Sequence, residues 1–217
     1  RQALSLAINR DSIIRAEYSG MAQPAQCAPG PESYFYNPVL YSSFTRYDPA
    51  GANQRLDEIG LGHRDSEGYR TYPDGRRMTF YLNVAGSFGS PGIVQMVVDD
   101  WDQVGLRVIP RFINRRLFYI EAMSLQHDLN VWMGNSEYLP VVSPRYFVPS
   151  DTSCNFAIGY ARWYYKGGLY DDPQSLSAGC LPPPPDSDCR KVMELYDQLC
   201  QYSEPVLQKQ VLSLIHI

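Results

Sequence analysis

The sequence predicts a layered α/β protein with parallel neighbouring strands. Three observations carry that expectation. MTFYLNV at 78–84, LRVIPRFI at 106–113 and DLNVWM at 128–133 are short runs rich in β-branched and aromatic residues. Between the first two, Val94, Val97, Val98 and Trp101 recur at helical spacing within 93–104, and Gly105 stops the run. Between the second and third, a helix is expected near 115–124, with Asn114 as its cap. Strands that alternate with helices are joined by crossovers, so neighbours run parallel. No internal repeat is visible.

The remaining elements follow in chain order. Leu4 and Ile8 share a helical face in residues 2–8, and Asp11 is expected to cap a second short helix through Ile14. Gly20 to Pro38 reads as a loop rich in Pro and Tyr. Asp48-Pro49 is a helix start, with Asp as cap and Pro at the first position, where the missing N–H costs nothing. Leu56 and Ile59 form that helix's apolar stripe, and Gly60 ends it.

Residues 65–82, DSEGYRTYPDGRRMTFYL, open like a calcium loop. Such a loop needs oxygen ligands at positions 1, 3 and 5 and a bidentate acid at 12. Here Tyr69 falls at the fifth position and Arg76 at the twelfth, and Arg76 and Arg77 would repel a cation. Pro73-Asp74-Gly75 instead forms a turn before a strand, because Pro presets φ and Gly tolerates positive φ.

GSFGSPG at 86–92 is a Gly-rich passage from strand to helix. It lacks the dinucleotide spacing, and its simpler reading has Ser90 as cap and Pro91 as first helical residue. An anion held on backbone N–H groups is the alternative. Residues 166–189, with GG, DDP and PPPP, form a long irregular loop. Ser187 or Asp188 then caps a helix with Val192, Leu195 and Leu199 as its stripe, and a last helix follows Ser203.

The 217 residues are enough for one large domain or two small ones. A net charge of −4 offers a nucleic acid no bulk attraction. No apolar run of about 18 residues exists to span a membrane as a helix. The chain opens without Met, as if inside a helix, and reads as a fragment. The last six residues, LSLIHI, match the translation of a transposon end used in sequencing libraries. Leu212 to Ile217 are therefore expected to be an artefact. The five cysteines form no C-x-x-C pair. Cys180–Cys189 and Cys27–Cys154 are both open as disulfides, beside a fully reduced set.

No nucleophile–base constellation, metal motif or phosphate loop occurs, so no catalytic residue, metal or cofactor is expected. His63 and His127 stand alone, and Asp99-Asp100 read as a solvated helix face. Position is more informative. In open α/β sheets ligands sit beyond the carboxyl ends of the strands. Two such loops can be named. One holds Ser87 and Phe88, the other Trp132, Asn135, Ser136, Glu137 and Tyr138. The second combines a stacking ring, an amide, hydroxyls and an acid able to pair with a ligand ammonium.

Several stretches together resemble family 5 of the solute-binding proteins of ABC importers, which includes dipeptide, oligopeptide and nickel binders. These are RQALSLAINRDSII at 1–14 with Ser19 to Ala25, and YDPAGANQRLDEIGL at 47–61. The Gly-x-Arg and Asp-Gly-Arg segment within 65–82, and Trp101 to Leu106 before a strand, are similar as well. So is WMG, prolines, then Arg145-Tyr146-Phe147, and GYARWY with Gly167-Gly168 matches a subset of the family. Gly51 departs from the family's helix former, at a cost of about 1 kcal/mol. Residues 169–189 depart as well. The family's acidic ligand position does not align cleanly with Glu137.

The resemblance implies one lobe of a two-lobed, type II periplasmic-binding-protein-like fold: a mixed sheet flanked by helices, with residues 1–211 as most of the C-terminal-side lobe. It implies a monomeric parent outside the cytoplasmic membrane, periplasmic or on the extracellular face, held by an N-terminal anchor beyond this chain. That parent would deliver a small solute to permease subunits without catalysis. A peptide is expected, with oligosaccharides and metal chelates as other family ligands. The rival expectation, from the aromatic richness and acidic charge, is an extracellular carbohydrate-binding module or glycan hydrolase. Hydrolysis would require two carboxylates about 5–9.5 Å apart. A sensor or chaperone could use the same lobe.

Overall fold

A computed structural model describes residues 1–86, 89–134, 139–166 and 179–215. In chain order the elements are α1 (Gln2–Leu6), α2 (Arg10–Tyr18), α3 (Pro38–Ser42), α4 (Pro49–Glu58), β1 (Thr79–Ala85), α5 (Pro91–Gln103) and β2 (Arg107–Ile113). They continue with α6 (Arg115–Met123), β3 (Leu129–Val131), α7 (Ile158–Tyr165), α8 (Asp188–Gln201) and α9 (Pro205–Ile215). The chain divides into two compact units. The first comprises Arg1–Gln26, Ser42–Phe118 and His127–Trp132, and the second Cys27–Tyr41, Tyr119–Gln126 and Met133–Ile217.

The three strands of the first unit pair in parallel in the order β2-β1-β3, as the alternation predicts. The central strand is buried over its last four residues, Leu82 to Ala85. Side chains alternate across a strand. Leu82 and Val84 therefore enter a core with Ala3, Leu6, Ala52, Leu56, Val94, Trp101, Val104 and Val108. The indole N–H of Trp101 donates to the Leu4 carbonyl at 3.0 Å. Pro110 lies opposite Leu82 on the edge strand β2, where an absent N–H breaks no ladder.

Capping side chains explain several helix starts. Asp48 Oδ1 accepts from Gly51 N–H at 2.9 Å, and Asn114 Oδ1 accepts from Leu117 N–H at 2.9 Å. Ser187 Oγ accepts from Arg190 N–H at 3.3 Å. Three expectations are corrected. Asn9, not Asp11, caps α2 by accepting from Ser12 N–H at 3.1 Å, and Asp11 lies in the first turn, where a negative charge suits the helix dipole. Ile59 falls just past the last helical residue, Glu58, and is 68% exposed, while Leu56 is buried. Asp100 is buried rather than solvated, with Oδ2 accepting the Asn9 N–H at 2.7 Å.

Residues 63–78 form turns closed by short antiparallel bridges, Arg64 with Arg70 and Thr71 with Arg77. Asp65 is an internal cap there, not a calcium ligand. Its Oδ1 accepts from Glu67 and Tyr69 N–H, and its Oδ2 pairs with Arg77 at 2.5 Å. Arg70 is fully buried between this segment and α4. Its Nε donates to Val104 O at 2.8 Å, Nη1 to Asp57 at 2.6 Å and to Leu61 O, and Nη2 to Asn53 Oδ1 at 2.7 Å.

The second unit has its own core, with Phe35, Phe147, Val148, Trp163, Met193 and Leu199 among its members. Helices α3 and α7 were not expected from the sequence. α9 continues through Leu212 to Ile215, and both of those side chains are buried in this core. None of the five cysteines is in a disulfide, so neither Cys180–Cys189 nor Cys27–Cys154 is joined. Among the described residues no helix is long and apolar enough to cross a membrane, and no three His, Cys, Asp or Glu side chains gather as a metal site.

Candidate functional site

The sheet order decides which loops are neighbours. Val84 on β1 pairs with Val131 on β3, so the carboxyl ends of these two strands lie side by side. That is where an open parallel sheet receives ligands. Of the predicted ligand residues, Trp132 lies one residue past β3. Ser87, Phe88, Asn135, Glu137 and Tyr138 lie outside the described residues, as does Ser136.

Trp132 is held by the first half of α6. Phe118 stacks on it with ring centroids 5.4 Å apart and planes 26° apart, and the Arg115 guanidinium lies 5.7 Å from its centroid. Offset stacks and cation–π contacts of this kind fix a ring's plane as well as its place. Trp132 is thus an anchored, partly buried ring with one face already occupied by Phe118. Neither partner was singled out from the sequence. The signal was there: Asn114 fixes the helix start, and Arg115 and Phe118 are three apart on one face.

Gly89, just before α5, is held against the sheet. A Cβ added to Gly89 would lie 2.7 Å from Val84 Cγ1, 3.4 Å from Val94 Cγ2 and 3.6 Å from Val131 Cγ1. The backbone there therefore rests directly on β1, β3 and α5, a contact no larger residue permits. Ser90 stands at the cap position of α5, yet its hydroxyl makes no cap bond to the helix. It donates instead to Glu17 Oε2 at 2.9 Å. The anion at this Gly-rich turn is the chain's own carboxylate. At the other end of β3, Asp128 Oδ2 accepts the Tyr81 N–H at 2.9 Å and pins β3 to β1.

An apolar concavity of the first unit lies elsewhere. A groove of about 430 Å³ opens at the amino ends of the strands, lined by Met78, Phe80, Leu106, Val108 and Leu129 with Leu4, Leu56 and Ile59. Several of these residues belong to the core itself, so the groove is an uncovered part of the packing rather than the mouth of a ligand site.

The chain matches the model of the bacterial extracellular solute-binding proteins, family 5, middle region, over residues 1–155. It is 35% identical over 108 residues to the glutathione-binding protein GsiB of Pectobacterium atrosepticum, which is 50% of this chain and 18% of that protein. The whole chain superposes on 34% of the oligopeptide-binding protein OppA, with a TM-score of 0.82 and 32% identity. It superposes over 99% of its length on NikA from Brucella suis in complex with Fe(III)-EDTA, with a TM-score of 0.68 and 19% identity, and covers 38% of that chain. These likenesses agree with the periplasmic-binding-protein fold that the sequence implies. The chain spans about a third of the solved relatives.

Proposed function

Because the chain belongs to the bacterial extracellular solute-binding proteins of family 5, we propose that the whole protein captures a peptide-class solute outside the cytoplasmic membrane and hands it to an ABC import permease. The observation that carries this reading is the superposition of the entire chain on the oligopeptide-binding protein at 32% identity. The relative named for binding glutathione points to the same class of solute. Residues 1–211 then form most of one lobe, and that lobe closes on the solute with the other as a hinged trap. The carboxyl ends of β1 and β3 supply part of the cleft, with Trp132 as a fixed wall. Glu137 is the candidate partner for a ligand ammonium, and Asn135, Tyr138, Ser87 and Phe88 are further candidate contacts. The protein acts by binding and release and performs no bond chemistry.

The test uses the full-length gene product. It is mixed with equimolar pools of di- to pentapeptides and, separately, of oligosaccharides, and weighed by native mass spectrometry. Bound peptide masses, followed by calorimetric titration of the hits, are expected. Retention of oligosaccharides alone, or hydrolysed glycan in the mixture, overturns the peptide reading in favour of a carbohydrate-directed protein.

A further inference from the structure

We propose that Glu17 is a positioning residue: it clasps the first turn of α5 and so holds the Gly89–Gly92 backbone in place at the carboxyl end of β1. The consequence for ligand binding rests on the peptide-binding reading above, but the clasp itself does not.

Three observations converge on it. Glu17 sits in the last turn of α2, and its Oε2 accepts the Ser90 hydroxyl at 2.9 Å across 73 residues of chain. Ser90 is thereby taken from the capping bond its position would normally make. The carboxylate also lies against Gly92. A Cβ built there would come within 2.1 Å of Glu17 Oε1 and 2.9 Å of its Cδ, so the absence of a side chain at 92 is what admits the carboxylate. Finally, the backbone just before is wedged, with Gly89 resting on Val84, Val94 and Val131. The turn is thus seated from below by three valines and tied from the side by one acid.

The chemistry suits the position. The first turn of a helix carries unpaired N–H groups and a partial positive charge, which favours an anion there. An exposed charge at that place stabilises it by an amount equivalent to roughly a two- to fivefold shift in a local opening equilibrium. Glu17 meets two requirements at once, since it offers the charge and also the acceptor that keeps the Ser90 hydroxyl from rotating. Nothing in the local sequence of α2 announces this, because the contact is made only in the folded unit.

The experiment is a double-mutant cycle on the full-length gene product. Glu17→Ala removes the carboxylate, and Gly92→Ala leaves it in the chain but displaces it from the turn. Hydrogen exchange of the Val94 amide, which donates to Ser90 O at 3.1 Å, reports opening of the turn. Glu17→Ala is expected to speed that exchange about two- to fivefold. Gly92→Ala also gains helix propensity, so it is expected to slow the exchange more in the Glu17→Ala background than in the wild type, where it also displaces the carboxylate. Glu17→Gln, which keeps an acceptor for Ser90 without the charge, is expected to fall between. Unchanged exchange in Glu17→Ala, or additive effects in the double variant, overturns the clasp. The same variants are then titrated with the tightest-binding peptide of the pool. Non-additive losses of affinity are expected; unchanged affinity in variants whose turn has loosened overturns the role in binding. If the wild-type protein holds no peptide, the peptide reading fails while the exchange cycle still decides the clasp.

Discussion

Arg70 shows how one side chain can hold several loops. Its fully buried guanidinium joins backbone or side-chain acceptors from Asn53, Asp57, Leu61 and Val104. Arg70→Met would remove these bonds, while Arg64 still reaches Asn53 Oδ1 and the Val104 carbonyl and water still reaches the half-exposed Asp57 carboxylate. A loss of about 1–3 kcal/mol is expected, read from urea unfolding. Gly51 is a subtler case. In an exposed helix, Gly→Ala gains roughly 1 kcal/mol. Here an added Cβ would lie 2.7 Å from Asp48 Oδ2, the very carboxylate that caps α4. Gly51→Ala is therefore expected to lose up to about 1 kcal/mol instead, through the disturbed cap. Asp100 makes a prediction about pH. Burial, with Asp99 adding to it, raises its carboxyl above the ordinary range, against the opposing bond from Asn9 N–H. A raised carboxyl pKa favours the folded state below the ordinary value of about 4 and loses that benefit as pH climbs through the folded value. Asp100→Asn keeps an acceptor and removes the charge. It is expected to be at least as stable as the wild type at pH 7, with its advantage vanishing near pH 3, by urea titrations at both pH values.

At the scale of elements, most of the first unit was legible because its signals are local. Asp48, Asn114 and Ser187 cap the helices their positions announce, and Pro91 opens α5. The choice between Asn9 and Asp11 was not local. Asn9 is held by its own N–H to Asp100, 91 residues away, and that bond selects it as the cap. Helix α7 carries little local signal for a related reason. It begins after Ala157 in a left-handed conformation with no capping side chain, and buries Ile158, Ala161 and Trp163 on a face too short to show a clear period. The candidate site was legible as a place, since strand ends can be read from periodicity. Its anchoring was not, because Glu17 against Ser90 joins elements far apart in the sequence. Gly89 tests the geometry of the place. Gly89→Ala would drive a methyl group to 2.7 Å from Val84. A destabilisation of about 1–3 kcal/mol is expected, read from thermal unfolding.

For the molecule as a whole, the apolar groove at the amino ends of the strands is a liability. Exposed apolar surface beside open strand edges invites association. Ile59 stands at its rim, 68% exposed. Ile59→Lys is expected to reduce self-association of this chain in sedimentation runs at high concentration, while leaving the urea midpoint unchanged. One contact described above also carries a consequence in time. The Trp101 indole reaches back 97 residues to the Leu4 carbonyl. At about 5–20 residues per second of synthesis, roughly 5–20 seconds pass between the emergence of the two. Until Ala52 and Leu56 of α4 emerge, about midway through that interval, Ala3, Leu6 and Ala7 lack their core partners from other elements, and α1, five residues long, is too short to persist alone. The opening segment of this unit is therefore seated in two steps during synthesis, first against α4 and only later by the Trp101 bond.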